Sequence, residues 1–256
     1  DTRAHCGIVR YEPTELVVTV RAGTPLSELL AALDAAGQML PCEPPAFGDG
    51  ATVGGMIATG LSGPRRPWSG SVRDFVLGTR VITGHGKLLR FGGEVMKNVA
   101  GYDVSRLMAG SFGCLGLLTE VSLKVLPQPR QCLSLCLPMG RQQALAALAE
   151  WGQQPLPISA ASHDGAALHL RLEGGKGSVQ AARQRLGGEH DLDEPFDEAG
   201  LHHFLGMSQM VIGEFFGIYA VIVFFYPTTN FFEQFVLFHG IKIFKRLQDA
   251  INLKSI

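Results

Sequence analysis

The chain has 256 residues, 22 Lys+Arg against 23 Asp+Glu, a formal net charge of -1 and 18% charged residues. It is long enough to bury one large core or two modest ones, and it lacks the basic footprint of a nucleic-acid binder. The five cysteines, Cys6, Cys42, Cys114, Cys132 and Cys136, form no CxxC element for zinc or a redox dithiol; they read as thiols in a reducing cytoplasm, and no metal is expected. No charged segment followed by an apolar run opens the chain, so no secretory signal is expected.

A strand-like run, Gly7 to Arg10, begins almost at once, which gives the N-terminus a cut appearance. Leu16 to Val20 (LVVTV) predicts a buried strand. Thr24 is expected to cap a helix with Pro25 at its first position, and Leu26, Leu29, Leu30 and Leu33 recur at helical spacing until Gly37. Met39 to Pro45 reads as an extended turn. The run Ala51 to Gly63 (ATVGGMIATGLSG) then crowds glycines among small and apolar residues. Gly54 and Gly55 have no Cβ, so their amides could approach a pyrophosphate; a buried glycine-rich turn is the competing reading.

Leu77 to Thr83 and Leu88 to Phe91 predict a hairpin around Gly84-His85-Gly86-Lys87. Asp103 to Met108 predicts a short helix capped by Asp103, Gly110 to Gly116 is a second glycine cluster, and Leu117 to Leu126 alternates like a half-buried strand. Pro127-Gln128-Pro129 marks a domain boundary. Beyond it, CLSLCL, QQALAALAEW, ALHLRL and SVQAARQRL predict a β-α-β-α unit of a smaller α+β domain. Cys132 and Cys136 would face one side of its first strand, as packed small hydrophobes in preference to metal ligands.

After about Asp193 the composition changes: eleven of the fifteen phenylalanines fall in Pro195 to Ile256, against one arginine, Arg246. Met207 to Tyr226 is a mostly apolar stretch whose length could span a bilayer, opposed by Glu214 at a cost of about 2–3 kcal/mol near the bilayer centre. A core or interface helix, or a tail of foreign origin, is the favoured alternative.

Three strings occur in order: YEPTELVVTVRAGTPLSELLAAL, GATVGGMIATGLSGPRRPWSGSVRDFVLGTRVI and KNVAGYDVSRLMAGSFGCLGLLTEVSLKVLP. Together they resemble the FAD-binding domain of flavoenzymes of the vanillyl-alcohol-oxidase and p-cresol-methylhydroxylase (PCMH) type. Within that group they look most like the FAD-binding E subunits of bacterial glycolate oxidases. The resemblance is close over the first half of the chain, looser from Gln131 to about Asp191, and absent from Pro195 onward. It implies an α+β fold: a PCMH-type FAD-binding domain over residues 1–127, incomplete at its N-terminus, then part of a smaller α+β cap domain over residues 130–193. Residues 194–256 would be a hydrophobic tail.

The resemblance also implies site residues. Ala46, Phe47, Gly48, Asp49, Gly50, Ala51 and Thr52 would run beside the FAD pyrophosphate, with Val53, Gly54 and Gly55 packing where the chain turns into a helix whose amides favour negative charge. Thr59, Gly60, Leu61 and Ser62 would continue toward the flavin ring. Gly70, Ser71 and Asp74 would line its ribityl and isoalloxazine region, and Gly113, Cys114, Leu115, Gly116 and Leu117 would close over the cofactor. A GxGxxG fingerprint is absent, which disfavours a Rossmann mode. Arg65 and Arg66 read equally as partners of the pyrophosphate or as a subunit surface, and Lys97 and Asn98 as solvated residues or cofactor neighbours.

Two departures stand out. Phe112 and Cys114 occupy places where the family pattern GSEGTLG has an acidic residue and a threonine. The earlier phosphate loop of the family does not occur from Asp1 onward, which would weaken FAD binding by several hydrogen bonds of roughly 1.5–3 kcal/mol each. No histidine among His5, His85, His163 and His169 lies in a motif that marks a base, so no catalytic residue is assigned. The function implied is the FAD-binding subunit of a glycolate oxidase-like complex oxidising a 2-hydroxy acid, cytoplasmic or peripheral at the inner bacterial membrane, with a larger flavin subunit and an iron–sulphur subunit as partners. The alternatives are a cofactor-free assembly subunit and a self-sufficient flavin-dependent 2-hydroxy-acid dehydrogenase.

Overall fold

Strand β1 (Ile8–Glu12) turns through Pro13–Glu15 into β2 (Val17–Arg21), with Leu16 in the left-handed region at φ 55°. The computed structural model describes residues 2–46, 48, 50–93 and 103–190, all within one compact unit, Asp1–Ser208. Alternation places Val18 and Val20 on the core face of β2 and Thr19 and Arg21 on the other. Helix α1 (Leu26–Ala35) follows, and its leucines at positions 26, 29 and 33 are buried beneath the sheet. The short β3 (Gln38–Met39) leads to α2 (Val53–Thr59), α3 (Arg66–Ser69) and α4 (Val72–Phe75).

The expected hairpin is β4 (Val76–Ile82) and β5 (Leu88–Gly92), paired antiparallel. Helix α5 (Val104–Leu107) is capped as expected: the Asp103 carboxylate accepts from the Arg106 amide at 3.1 Å. Strand β6 (Leu117–Lys124) joins β2 to β4, giving an antiparallel sheet ordered β1-β2-β6-β4-β5. Its register shifts where Arg80 pairs with Glu120 and Val81 with Leu118. Thr119 is the extra residue, so Leu118 and Val121 both reach the core.

The chain then forms β7 (Leu126–Pro127), paired with β3, and a second domain-like layer: β8 (Gln131–Pro138), α6 (Arg141–Trp151), β9 (Ile158–His163), β10 (Ala167–Gly174), α7 (Lys176–Leu186) and β11 (Glu189–His190). These strands form a sheet ordered β11-β8-β10-β9. Two apolar clusters result. One gathers Val18, Val20, Leu29, Ile57, Val81 and Val121; the other gathers Leu133, Leu135, Leu168, Leu170, Leu172 and Val179.

Three expectations are corrected. Thr24 is no helix cap: Pro25 holds that position without a side-chain bond. The buried Thr24 hydroxyl donates to the Arg21 carbonyl at 2.7 Å and accepts from the Gly7 amide at 3.0 Å, tying β1 to the end of β2. The unit beyond Gln131 is β-α-β-β-α, because Ile158–His163 is a strand that pairs with β10. Its serines and small residues gave too weak an apolar period to mark it. Cys132 and Cys136 are not core residues either, since Leu133, Leu135 and Leu137 take the apolar face and Cys132 is exposed. Among the described residues no group of three or more His, Cys, Asp or Glu stands close enough to hold a metal.

The β9–β10 turn is held by Asp164, whose Oδ1 accepts from the amides of Ala166 and Ala167, each at 2.8 Å. The Ala167 and Ala166 amides, then the His169 ring, hold its carboxyl well below the ordinary carboxylate range. A folded-state pKa below the unfolded one stabilises the protein above the unfolded value, about 4, and that stability is lost as pH falls through the folded value. Asp164→Asn is therefore expected to be less stable than the parent at neutral pH, with the difference shrinking below pH about 4; denaturant midpoints across pH 2 to 7 check this. A gap that persists undiminished at the acid end would refute it.

Among the described residues no helix is long and apolar enough to cross a membrane. The stretch Met207 to Tyr226 lies outside the described residues, as does the whole tail from 194.

Candidate functional site

The two glycine clusters meet at the C-terminal end of α2. Gly60 closes that helix in the left-handed region, φ 66°, and a Cβ there would stand 2.9 Å from the Gly110 amide nitrogen. The Gly110 amide donates to Ile57 O at 3.0 Å and the Phe112 amide to Ala58 O at 2.9 Å, so the 110–117 loop is seated on the last turn of α2. The Ser62 hydroxyl accepts from the Val72 amide at 2.9 Å, which adds Gly70, Ser71 and Asp74 to the same end. Gly60, Leu61 and Ser62 thus lie beside both the start of the 110–117 loop and the 70–74 turn.

The N-terminal end of α2 holds the other group: Ala46, Gly48, Gly50, Ala51 and Thr52. A seven-residue helix separates the two groups by about 10 Å at 1.5 Å per residue. A ligand touching both must be elongated, as a dinucleotide is. Phe47 and Asp49 lie outside the described residues, as do Lys97 and Asn98.

The glycines divide into two kinds. A Cβ at Gly54 would lie 2.7 Å from Ala22 Cβ and 2.8 Å from Ala22 O, and one at Gly116 would lie 2.6 Å from Val81 Cγ1. These are packing glycines, which bring α2 and the 110–117 loop against the sheet. Among the described residues nothing stands within 4 Å of a Cβ built at Gly48, Gly50, Gly110 or Gly113, and three of them hold positive φ: 113°, 79° and 77° at Gly48, Gly110 and Gly113. They present backbone to open space at both ends of α2, a lining that suits a phosphate-linked cofactor approached by main-chain groups.

The first amides of α2 already have partners within the protein. The Val53 amide donates to Thr24 O at 2.9 Å, Gly54 to Ala22 O at 2.8 Å, and Gly55 to the capping Thr52 hydroxyl at 3.2 Å. The first two are engaged because the segment 51–54 runs beside 22–26 and pairs with it, and the third because Thr52 caps the helix. The Thr59 hydroxyl also bonds back into its helix, at 3.0 Å to Gly55 O.

Asp74 supports the turn beside it. Its carboxylate accepts from the Ser71 amide and hydroxyl, each at 2.9 Å. Burial pushes its pKa up, but the Ser71 bonds outweigh burial, with Arg106 and Arg73 assisting, and leave it below the ordinary value. Arg65 is neither a surface cation nor aimed at a phosphate: it pairs with Glu43 at 3.2 Å and with Glu173. Arg66 is exposed. Burial pushes the Cys42 thiol up to about 12, which removes it as a nucleophile. Phe112, 65% exposed, sits at φ 50°, a strained place for a bulky residue. The histidines stand elsewhere: His163 holds Met139 O and the Gly165 amide, His169 pairs with Asp164, and His5 and His85 are exposed. Sequence reasoning missed Glu43, Arg171 and Glu173, which carry no periodic or motif signal.

A family model described as an FAD binding domain matches residues 1–92. Two solved structures of alkyldihydroxyacetonephosphate synthase share the fold, with TM-scores of 0.58 and 0.61 at 21% and 20% identity; they cover 73% and 79% of this chain and 40% and 48% of theirs. Residues 1–92 thus resemble an FAD binding domain, and the chain shares the fold of these synthases. It is 68% identical over 189 residues to glycolate oxidase subunit GlcE of Escherichia coli (strain K12), a match covering 74% of this chain and 54% of that protein. It is also 35% identical over 122 residues to glycolate oxidase subunit GlcD of Bacillus subtilis (strain 168), covering 48% of this chain and 26% of that one. A D-lactate dehydrogenase of Anaerostipes hadrus is 36% identical over 132 residues, covering 51% and 27%. The chain thus spans about half the length of the GlcE relative, or less of the others.

Proposed function

We propose that this chain is the FAD-binding subunit of a glycolate oxidase-like complex that oxidises a 2-hydroxy acid, contributing flavin binding or electron transfer. The observation that carries the reading is the pair of backbone-lined ends of α2, presented by a chain 68% identical to a glycolate oxidase subunit. The cofactor would be held by Ala46 to Thr52 at one end, and by Thr59 to Ser62, Gly70, Ser71, Asp74 and Gly113 to Leu117 at the other. Gly54 and Gly55 would act by close packing, with the chain shaping the site through main-chain groups and fixed turns. The flavin, when bound, supplies the two-electron acceptor chemistry.

Residues 1–127 would form the cofactor domain and 130–193 part of a cap domain, matching the two apolar clusters. The partners would be a larger flavin subunit and an iron–sulphur subunit, and the location cytoplasmic or peripheral to the membrane. Purification of the chain in the presence of FAD, followed by a visible spectrum, tests the reading: a flavin band at near-stoichiometric occupancy is expected. A cofactor-free assembly subunit is the second reading, favoured by the engaged amides at Val53 to Gly55. It predicts co-purification with partner subunits and no flavin band.

A further inference from the structure

The segment between Glu43 and Arg65 meets the second sheet through four charges largely withdrawn from solvent. Arg171 Nη2 donates to Glu43 Oε1 at 2.6 Å, and Arg65 reaches the same carboxylate through its backbone amide at 3.1 Å and its Nε at 3.2 Å. Arg65 also pairs with Glu173, and Arg171 Nε lies 3.4 Å from Glu173 Oε1. Side-chain exposures are only 20% for Glu43, 14% for Arg65, 9% for Arg171 and 8% for Glu173. Glu43 and Arg65 belong to the cofactor part of the chain. Arg171 and Glu173 lie two apart on β10, on the face opposite Leu170 and Leu172, so both point away from the second core. Arg171 Nε also donates to Ser159 Oγ on β9 at 3.0 Å.

Four charges withdrawn from water give little net stability compared with an apolar contact of the same size. They impose geometry, because a planar guanidinium held on several sides accepts few orientations. The geometry imposed here bears on the cofactor segment. The Gly63 amide donates to Cys42 O at 2.8 Å and the Ser69 hydroxyl to Pro41 O at 3.0 Å. Residues 41–43 are thereby locked to 63–69, with Glu43 in the left-handed region at φ 44°. Gly60, Leu61, Ser62, Gly70 and Ser71 lie at the ends of that locked segment.

We propose that Glu43, Arg65, Arg171 and Glu173 form a coupling site through which the second sheet holds segment 60–71 in its cofactor-binding conformation. Arg171 and Glu173 are positioning residues for the flavin, which act through Glu43 and Arg65. The inference rests on the proposed flavin role for its ligand but on the ion cluster for its mechanism. Coupling is reciprocal, so bound FAD also holds the second sheet in place.

The test compares the parent chain with Arg171→Met and with Val179→Ala, a buried α7 residue that packs with Leu170 and Leu172 on the core face of β10, opposite the cluster, and whose truncation weakens the same second core. FAD affinity is read by flavin fluorescence, and backbone hydrogen exchange is followed over residues 60–71 without cofactor. Arg171→Met is expected to weaken FAD binding about tenfold, within the usual range for coupled sites, and to speed exchange in 60–71. Val179→Ala should do neither while lowering the melting temperature. An FAD affinity for Arg171→Met within twofold of the parent, or equal effects of the two substitutions, overturns the coupling. A parent chain that binds no FAD overturns the flavin reading instead. In that case faster exchange in Arg171→Met alone still supports the mechanical link, and unchanged exchange refutes it.

Discussion

Gly60→Val is expected to leave a folded protein that no longer retains FAD. Two costs combine at this position. The backbone is left-handed at φ 66°, which a β-branched residue resists by roughly 1–2 kcal/mol. The new Cβ would also stand 2.9 Å from Gly110 N and 3.0 Å from Gly110 Cα, both backbone atoms that cannot swing aside. Overpacking of this kind costs about 1–3 kcal/mol and is relieved by movement of the neighbour. The neighbour that must move is the 110–117 loop, which rests on α2 through the Gly110 and Phe112 amides. Separating it from Gly60 to Ser62 opens the place where both candidate cofactor segments meet. Far-ultraviolet circular dichroism should remain near that of the parent, while bound flavin falls at least tenfold after gel filtration, a loss of about 1.4 kcal/mol or more. Flavin retained at the parent's stoichiometry would show that the junction does not hold the cofactor.

Leu170→Ala is expected to lower stability by about 2–5 kcal/mol, the range for emptying a fully buried leucine site. Leu170 is 0% exposed at the centre of the second cluster, as Leu29 is in the first. If the two clusters are separate cooperative units, denaturation of Leu170→Ala should shift the unfolding of the second sheet to lower denaturant. Trp151, packed against the second cluster, provides a fluorescence signal for that step, with Trp68 in α3 replaced by Phe to isolate it. Leu29→Ala should chiefly shift the other step. Equal displacement of a single transition by both substitutions would mean that residues 2–190 unfold as one unit and that the boundary near Pro127 has no thermodynamic meaning.

Much of the fold was legible in order along the chain because its signals are local. LVVTV, the leucines at helical spacing after Pro25, and the hairpin around Gly84 to Lys87 each declare their type within a few residues. Strand β9 was not legible: ISAASH has one large apolar residue, and its strand state comes from pairing with β10. Thr24 was misread because Thr-Pro before a leucine run is a standard helix start, whereas its hydroxyl is captured by Gly7 and Arg21 from the neighbouring strands.

For the candidate site, residue identity was more legible than residue role. The glycine strings marked where backbone approaches something closely. They could not say whether that something is a cofactor or another part of the chain: Gly54 approaches Ala22 and Gly116 approaches Val81, while Gly48 and Gly113 face open space. The same limit applied to Arg65, whose charge reads equally well as a phosphate partner until Glu43 and Glu173 are seen beside it.

By itself the sequence determined most of the elements in order, the mixed α and β character and the glycine-rich segments that resemble those of PCMH-type flavoproteins, because periodicity, turn chemistry and glycine placement act over short separations. Only the tertiary structure decided which glycines pack and which stay open, which amides of α2 are already engaged, and that Glu43 and Arg65 meet two charges of the second sheet. Those outcomes depend on contacts between residues up to 128 positions apart, as in the Glu43–Arg171 pair, and no local pattern specifies where such partners will meet.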